Sequence, residues 1–385
     1  MNEFPLDLVQ LQHVLDYLND GVYLTDRRRR ILLWNRKAEE ITGWKGSQVV
    51  GRRCRDGLLE HLDAYGHGLC RSNLCPLARA IRTRSASQEP VLVYARCADG
   101  RRIPVSTSVA PLRDEAGRVV GGIEVFRDES SRMADLEFAR RVQRHVLPGR
   151  LPGSEAIAFE VGYYPHDLVG GDFYWLRELR PNLFGCMVAD VRGHGVSAAL
   201  YTMVLSSYLS GAGSLVEEPG RLMGALNQHL EQLTVAESFA SAVYLVLDGD
   251  AWTLRYSNAG HPPPLLLDAR TGEVRELAAH GPFLGMFLPQ EYEETRLDLP
   301  ERGALLAYSD GAIEVRGRDG EEFGLERLKA YVRGQSSRRG FPARFYRHLT
   351  RVSAAVALPD DLLLLLARLR RNATRLRPRR APERR

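Results

Sequence analysis

The sequence predicts an α+β chain of two domains, and three observations predict it. Strand-length apolar runs bounded by Gly, Asp or Pro recur from Val22 to Ala367. Longer stretches with apolar residues every three or four positions fall between them, which is helical spacing. A length of 385 residues exceeds one ordinary domain and suits two.

The first domain is expected over residues 8–130. Residues 8–19 carry a helical apolar pattern that ends at Asn19-Asp20-Gly21. Val22–Thr25 and Ile31–Trp34 read as a strand pair around the charged turn Asp26–Arg30. Asn35 is placed to cap a helix containing Ala38, Ile41 and Trp44. Short helices are expected next, then strands near Val91–Tyr94, Ile103–Ala110 and Val119–Arg127, separated by Asp-Gly and Ala-Gly turns.

Residues 131–153 read as a linker. Met133, Leu136, Ala139, Val142 and Val146 form one apolar stripe on a helix that Pro148 ends. The stripe either packs on a domain of its own chain or pairs with the same helix in a second subunit. The second domain is expected over residues 154–369. Its strands are Ala158–Tyr163, Phe173–Leu176, Leu183–Val191, Ala240–Leu247, Trp252–Asn258, Ala304–Tyr308 and Leu362–Ala367, with helices at 196–209, 222–233, 325–332 and 343–351. Buried strands with helices between them suit two sheets covered by helices.

Net charge is +5, yet the stretch from Arg368 onward holds nine arginines and one glutamate, which leaves the rest at about −3. The body is therefore no general nucleic-acid binder. The tail, 370–385, is expected to be solvated and disordered. No basic start followed by an apolar core opens the chain, and Leu362–Ala367 is too short to span a bilayer. The expected compartment is the cytoplasm, and five cysteines suit reduced thiols.

Chemistry gathers at four separated acidic motifs: Asp172 in Gly-Gly-Asp-Phe, Asp190 in Asp-Val-Arg-Gly-His-Gly, Asp310 in Ser-Asp-Gly, and the pair Asp360-Asp361. Any one of them alone reads as a turn or a strand end. Together they offer oxygen ligands from distant sequence, the kind that hard divalent cations take. Two such cations activate a water and clamp a phosphoryl group.

Residues 8–130 resemble a PAS sensor domain, through Asn19-Asp20-Gly21-Val22, Asp26, Trp34-Asn35, Ala38-Glu39, Thr42-Gly43-Trp44 and Gly121–Glu124. Residues 135–369 resemble the SpoIIE/RsbU-like branch of the type 2C metal-dependent protein phosphatases. That match rests on Gly170–Tyr174, Asp190–Gly195 with Ser197–Leu200, Asn258–Pro263, Gly281–Gly285, Tyr308–Glu314 and Asp360-Asp361, and on a leader ending in Leu147-Pro148. The resemblance implies a four-layer α/β/β/α domain with two central sheets. It implies hydrolysis of phosphoserine or phosphothreonine by a metal-activated water. The substrate class it implies is a phosphorylated anti-sigma-factor antagonist.

By the same resemblance, Asp172 and Asp190 contact or bridge two Mn²⁺ or Mg²⁺ ions, the carbonyl of Val191 binds one, and Asp310 and Asp360 hold the other. His194 either donates to the phosphate or leaving oxygen, or is structural; His261 reads as structural. Two positions depart from the family pattern. Trp175 stands where an aspartate is common, and Leu363 where a threonine is common. They leave open a second class of function, an inactive phosphatase-fold adaptor that binds a phosphorylated partner.

One cluster lies outside these motifs. Cys54, His61, Cys70 and Cys75 fall in one short stretch of the sensor. Such a group binds a metal, acts as a thiol switch, or simply packs as small hydrophobes. Its spacing matches no common zinc motif.

Overall fold

The computed structural model describes residues 8–63, 66–193, 195–232, 238–279, 281–286, 291–353 and 358–371. His194 and the basic tail beyond Arg371 lie outside the described residues. The chain divides into two compact units, 1–135 and 136–385.

The N-terminal unit runs α1 (Leu8–Asp16), β1 (Gly21–Asp26), β2 (Ile31–Trp34), α2 (Arg36–Thr42), α3 (Gly46–Val49), α4 (Pro76–Thr83), β3 (Val91–Arg96), β4 (Arg102–Arg113) and β5 (Val119–Asp128). Its five strands form one antiparallel sheet in the order β2-β1-β5-β4-β3. Asn35 does cap α2: its side chain accepts from the Ala38 amide at 2.9 Å and from the Val22 amide at 2.8 Å. One residue thus starts a helix and ties it to β1. Tyr23, Trp34 and Phe126 pack as an aromatic group inside this core.

α5 (Ser130–Val146) follows. Gln143 is its one buried residue. Of the apolar stripe, Met133, Leu136 and Ala139 are half-buried. Phe138, Val142 and Val146 are exposed.

The C-terminal unit continues with β6 (Ile157–Tyr164), β7 (Asp172–Arg180), β8 (Leu183–Val191), α6 (Val196–Gly211), α7 (Pro219–Gln232), β9 (Ala240–Asp248), β10 (Thr253–Ala259), β11 (Leu265–Asp268), β12 (Val274–Glu276), β13 (Thr295–Asp298), β14 (Arg302–Tyr308), α8 (Gly324–Gln335), α9 (Phe341–Val352) and β15 (Leu362–Arg370). Two five-stranded antiparallel sheets result, β13-β10-β9-β8-β7 and β12-β11-β14-β15-β6.

Strand parity sorts their side chains into layers. Tyr174, Val188, Leu245, Leu305 and Leu365 meet between the sheets. Phe173, Met187 and Tyr244 face the other way, onto Leu205, Leu222 and Leu226 of α6 and α7. Leu306 and Leu364 pack on Leu328, Phe341 and Phe345 of α8 and α9. The domain is therefore four layers, α/β/β/α, as the resemblance implied. The strands not anticipated from sequence are β11 to β13. Each is three or four residues long, too short to show a period.

Candidate active site

The acidic motifs sit at strand ends. Asp172 opens β7 and Asp190 is the penultimate residue of β8; the two are direct cross-strand partners. Their even parity, shared with Tyr174 and Val188, turns both toward the space between the sheets. Asp310 follows β14 and starts a single 3₁₀ turn, while Asp360 and Asp361 immediately precede β15, the partner of β14. Each sheet thus delivers its carboxylates to one place. A cavity of about 440 Å³ is lined there by Asp190, Asp310, Asp360 and Asp361, together with Val191 and Arg192. Asp172 is only 3% exposed.

Two glycines let the backbone close around Asp172. A Cβ on Gly170 would collide with Asp361 Oδ2 and the Tyr163 hydroxyl. On Gly171 it would come 2.8 Å from the carbonyl oxygen of Val191. Asp361, read from sequence only as half of an acidic pair, braces this turn. Its Oδ2 accepts from the amides of Gly171 at 2.8 Å and Asp172 at 3.3 Å, and its Oδ1 accepts from His166 at 2.7 Å. A second residue that sequence reasoning passed over is Ser309. Its hydroxyl accepts from the Leu363 amide at 2.9 Å and also bonds Asp172. Gln143 of α5 is a third, bonded to Gly170. Asp361 and Ser309 lie within quoted motifs and Gln143 in the leader helix before Leu147-Pro148, so the signal was adjacency; their partners are remote in sequence.

The electrostatics are those of uncompensated negative charge. Burial, then Asp190, pushes the Asp172 carboxyl well up, against the Ser309 hydrogen bond. Asp190 is pushed up to about 7 by burial and then by Asp310 and Asp360. Asp310 rises to about 6 through burial, Asp360 and Glu314. Burial raises Asp361 too, opposed by the three amides it holds. Asp172 Oδ2 is buried with no hydrogen-bond partner among the described residues. A buried carboxylate oxygen without a partner is costly, and a hard cation is the ligand that relieves it. The oxygens of Asp172, Asp190, Asp310 and Asp360 and the Val191 carbonyl fit Mn²⁺ or Mg²⁺ by donor chemistry. Among the described residues no three His, Cys, Asp or Glu side chains are drawn together into a formed metal cage.

The two departures lie elsewhere in the packing. Trp175 is buried in the helix-side core, on the face of β7 opposite Asp172, with the Arg177 guanidinium 5.4 Å from its ring. Leu363 fills the core between the sheets. His261 is buried; its Nδ1 lies 2.8 Å from the Ser241 hydroxyl, and burial pushes it down to about 3, which favours the neutral imidazole at physiological pH.

In the N-terminal unit, Cys54, Cys70 and Cys75 are buried thiols. The His61 amide donates to Cys70 Sγ at 3.1 Å, and Arg29 reaches Cys75 Sγ at 3.5 Å. Burial pushes Cys70 up to about 12 and Cys54 higher still, so these are protonated thiols rather than thiolates. Next to them lies a buried carboxylate that the sequence reading missed. Glu124, 1% exposed, accepts from the Tyr23 hydroxyl at 2.6 Å and the Thr107 hydroxyl at 2.9 Å, and its Oε1 stands 3.7 Å from His61 Nδ1.

Two facing sheets under outer helices, with carboxylates gathered at one set of strand ends, define the type 2C phosphatase fold. Residues 181–370 match the family Stage II sporulation protein E (SpoIIE), and residues 15–134 match the PAS fold. The C-terminal domain is a SpoIIE domain and the N-terminal domain a PAS domain.

Among curated proteins, the chain is similar to the phosphoserine phosphatase RsbP of Bacillus subtilis (strain 168), at 32% identity over 184 residues, 47% of this chain and 45% of that one. It is also similar to the phosphoserine phosphatase RsbU of the same organism, at 25% over 187 residues, 49% and 56% of the two chains. The chain spans about half the length of the curated relatives it matches. Among solved structures, the SiaA-PP2C domain of Pseudomonas aeruginosa shares the fold, with a TM-score of 0.55 and 24% identity, over 63% of this chain and 98% of that one.

Proposed function

We propose that this chain is a metal-dependent protein phosphatase that hydrolyses phosphoserine or phosphothreonine under the control of its PAS domain. The observation that carries this reading is the gathering of Asp190, Asp310 and Asp360 around one cavity, with Asp172 paired across the strands to Asp190 and its buried Oδ2 left unpartnered among the described residues. Divalent cations bound by these residues and the Val191 carbonyl would supply Lewis acidity and lower the pKa of water.

The chain's own residues prepare the place. Asp361, Gln143 and the two glycines fix the Asp172 turn, and Ser309 orients Asp172 itself. Arg192, stacked 5.1 Å from the Phe239 ring, lines the cavity and is the cation best placed there to meet a phosphate. The packing of Trp175 and Leu363 as core residues supports an active site over the inactive-adaptor reading.

Two relatives are named phosphoserine phosphatases, which supports the reaction class. We extend this to a phosphorylated anti-sigma-factor antagonist as substrate and to a cytoplasmic setting; among the described residues no helix is long and apolar enough to cross a membrane. The exposed Phe138, Val142 and Val146, four residues apart on α5, support a homodimer through that helix. A metal or redox role for Cys54, His61, Cys70 and Cys75 belongs to the same reading of the sensor. Its test is metal analysis of the purified protein beside Cys70→Ser: equal metal content in the two rejects a metal role.

The deciding experiment is Mn²⁺-dependent hydrolysis of a phosphoserine protein by the parent and by Asp310→Asn. Loss of activity in the folded variant supports the reading. A folded parent that is inactive with every divalent ion and a cognate phosphoprotein overturns it in favour of the adaptor.

A further inference from the structure

The N-terminal unit holds a cavity of about 840 Å³ whose charge is opposite to that of the carboxylate site. Five of its ten lining residues are arginines, Arg27, Arg29, Arg82, Arg84 and Arg118, and none is acidic. They come from three segments: the β1–β2 turn, the end of α4 and the β4–β5 turn. The volume falls within the range of small-ligand pockets, on the order of 300–1,000 Å³.

The fold assembles this cleft through close packing. A Cβ on Gly122 of β5 would stand 2.7 Å from Leu77 and 3.0 Å from Ile81, so α4 lies directly on the sheet. That seating brings its last turn, with Arg82 and Arg84, level with the two strand turns. Arg29 and Arg84 also hold left-handed backbone, at φ 60° and 62°. Glycine or asparagine takes that conformation at lower cost. At Arg84 this backbone is the left-handed cap that ends α4.

The guanidinium groups are poorly balanced. Arg118 pairs with Asp114 at 2.8 Å, and Arg82 reaches Asn73 at 3.3 Å. The side chains of Arg27 and Arg84 make no hydrogen bond or ion pair among the described residues. Carbonyls at the end of a helix disfavour an anion. Here Arg113 already covers the Arg84 carbonyl at 2.8 Å. Beside the charges, Ala78, Ile81 and Val119 give the cleft an apolar wall.

We propose that this cleft binds a soluble small molecule bearing several phosphate groups. Arg27, Arg82 and Arg84 hold the phosphates, since planar guanidinium forks match phosphate oxygens in pairs. The remainder of the ligand lies against Ile81 and Val119. Arg29 connects the cleft to the cysteine segment through the Cys70 carbonyl at 3.1 Å and Cys75 Sγ at 3.5 Å, which gives occupancy a path into the sensor core.

The test is calorimetric titration of the full chain in EDTA, so that phosphate bound through divalent ions at the carboxylate site does not contribute. The probes are inorganic tripolyphosphate, ATP and adenosine. Tripolyphosphate and ATP are expected to bind, with ATP the tighter, and adenosine is not. Arg27→Gln combined with Arg84→Gln should weaken both by about 100-fold, from two lost charge-assisted contacts, with an unchanged melting curve. Arg84→Gly is a second variant that relieves the backbone strain: it should keep or raise the melting temperature and still weaken binding. Absence of tripolyphosphate and ATP binding in the parent, or undiminished binding in both variants, overturns the proposal. Retention on vesicles containing phosphorylated phosphatidylinositol without binding of either soluble probe also overturns it, in favour of a membrane surface.

Discussion

The side-chain amide of Gln143 grips Gly170 from both sides. Nε2 donates to the Gly170 carbonyl at 2.8 Å, and Oε1 accepts from its amide at 3.3 Å. Nε2 also lies 3.3 Å from the Thr202 hydroxyl on α6. Gly170 precedes the turn that carries Asp172, so the pose of α5 is written into the carboxylate site through one residue. Gln143→Ala removes this grip and strands two buried backbone groups, at a cost of about 1–3 kcal/mol. The expected result is a higher Mn²⁺ concentration for half-maximal activity, by roughly tenfold, with the phosphate chemistry otherwise intact. A metal titration of activity unchanged from the parent would detach α5 from the site.

Asp361 and Asp310 make opposite predictions although both are aspartates of one cavity. Asp361 accepts from three backbone amides. In Asp361→Asn an NH₂ replaces one acceptor and faces N–H groups, so the fold itself should lose about 1–3 kcal/mol. Asp310 has its carboxyl pushed up to about 6 by burial and by neighbouring acids, so its charge opposes folding in metal-free protein. Asp310→Asn should therefore melt no lower than the parent in EDTA at pH 8, while its activity disappears. Thermal melts of the two variants in EDTA separate a brace from a ligand; equal destabilisation of both would contradict the assignment.

The sequence displayed the layers because strand parity is local. The near-continuous apolar runs at 183–191 and 362–367 mark strands buried on both faces whichever partner they meet. The acidic motifs were legible for the same reason, as charges interrupting apolar runs. What sequence could not display was pairing across long separations. Nothing adjacent to Asp361 says that it holds Gly171, or that Glu124 meets Tyr23 and Thr107 inside the sensor. The five arginines of the cleft were visible as residues and invisible as a group, because α4 brings two of them to turns far away in the chain.

Glu160 on β6 gives a pH dependence remote from the carboxylate site. Its carboxylate pairs with Arg368 at 2.6 Å and accepts from the amides of Gly340 and Phe341, at the start of α9. Burial alone would raise it; Arg368 and the two amides outweigh burial and hold it below the usual range. A depressed carboxylate stabilises the fold above its unfolded pKa, and that contribution disappears as pH falls through the folded value. Glu160→Gln should cost about 1 kcal/mol at pH 7, allowing for solvent screening of a partly exposed pair. The difference should shrink as pH falls from the unfolded value, about 4.3, through the depressed folded value, as read by urea denaturation across that range. A constant difference would assign the effect to shape rather than charge.

Phe138, Val142 and Val146 make an apolar face on α5 that this chain leaves exposed. If a second copy covers it, Val142→Asp places a charge in the seam. The expected outcome is a fall from dimer to monomer in sedimentation velocity without loss of fold. A parent that sediments as a monomer at all concentrations rejects dimerisation by this helix.

In the proposed site a divalent cation would compete with protons for the same oxygens, which fixes the sign of the last dependence. Asp190 and Asp310 are raised, to about 7 and about 6, by burial and mutual repulsion. A raised carboxylate is protonated in the fold at a pH where the unfolded chain is ionised, so metal-free stability declines as pH rises from the unfolded value, about 4, through these folded values. Binding a divalent cation displaces the protons and removes the repulsion. Added Mn²⁺ should therefore raise the melting temperature clearly at pH 8 and little at pH 5. In Asp190→Asn the gain at pH 8 should shrink, because one raised carboxylate and one ligand are lost together. A Mn²⁺ stabilisation that is as large at pH 5 as at pH 8 would mean that the ion is held somewhere other than among these carboxylates.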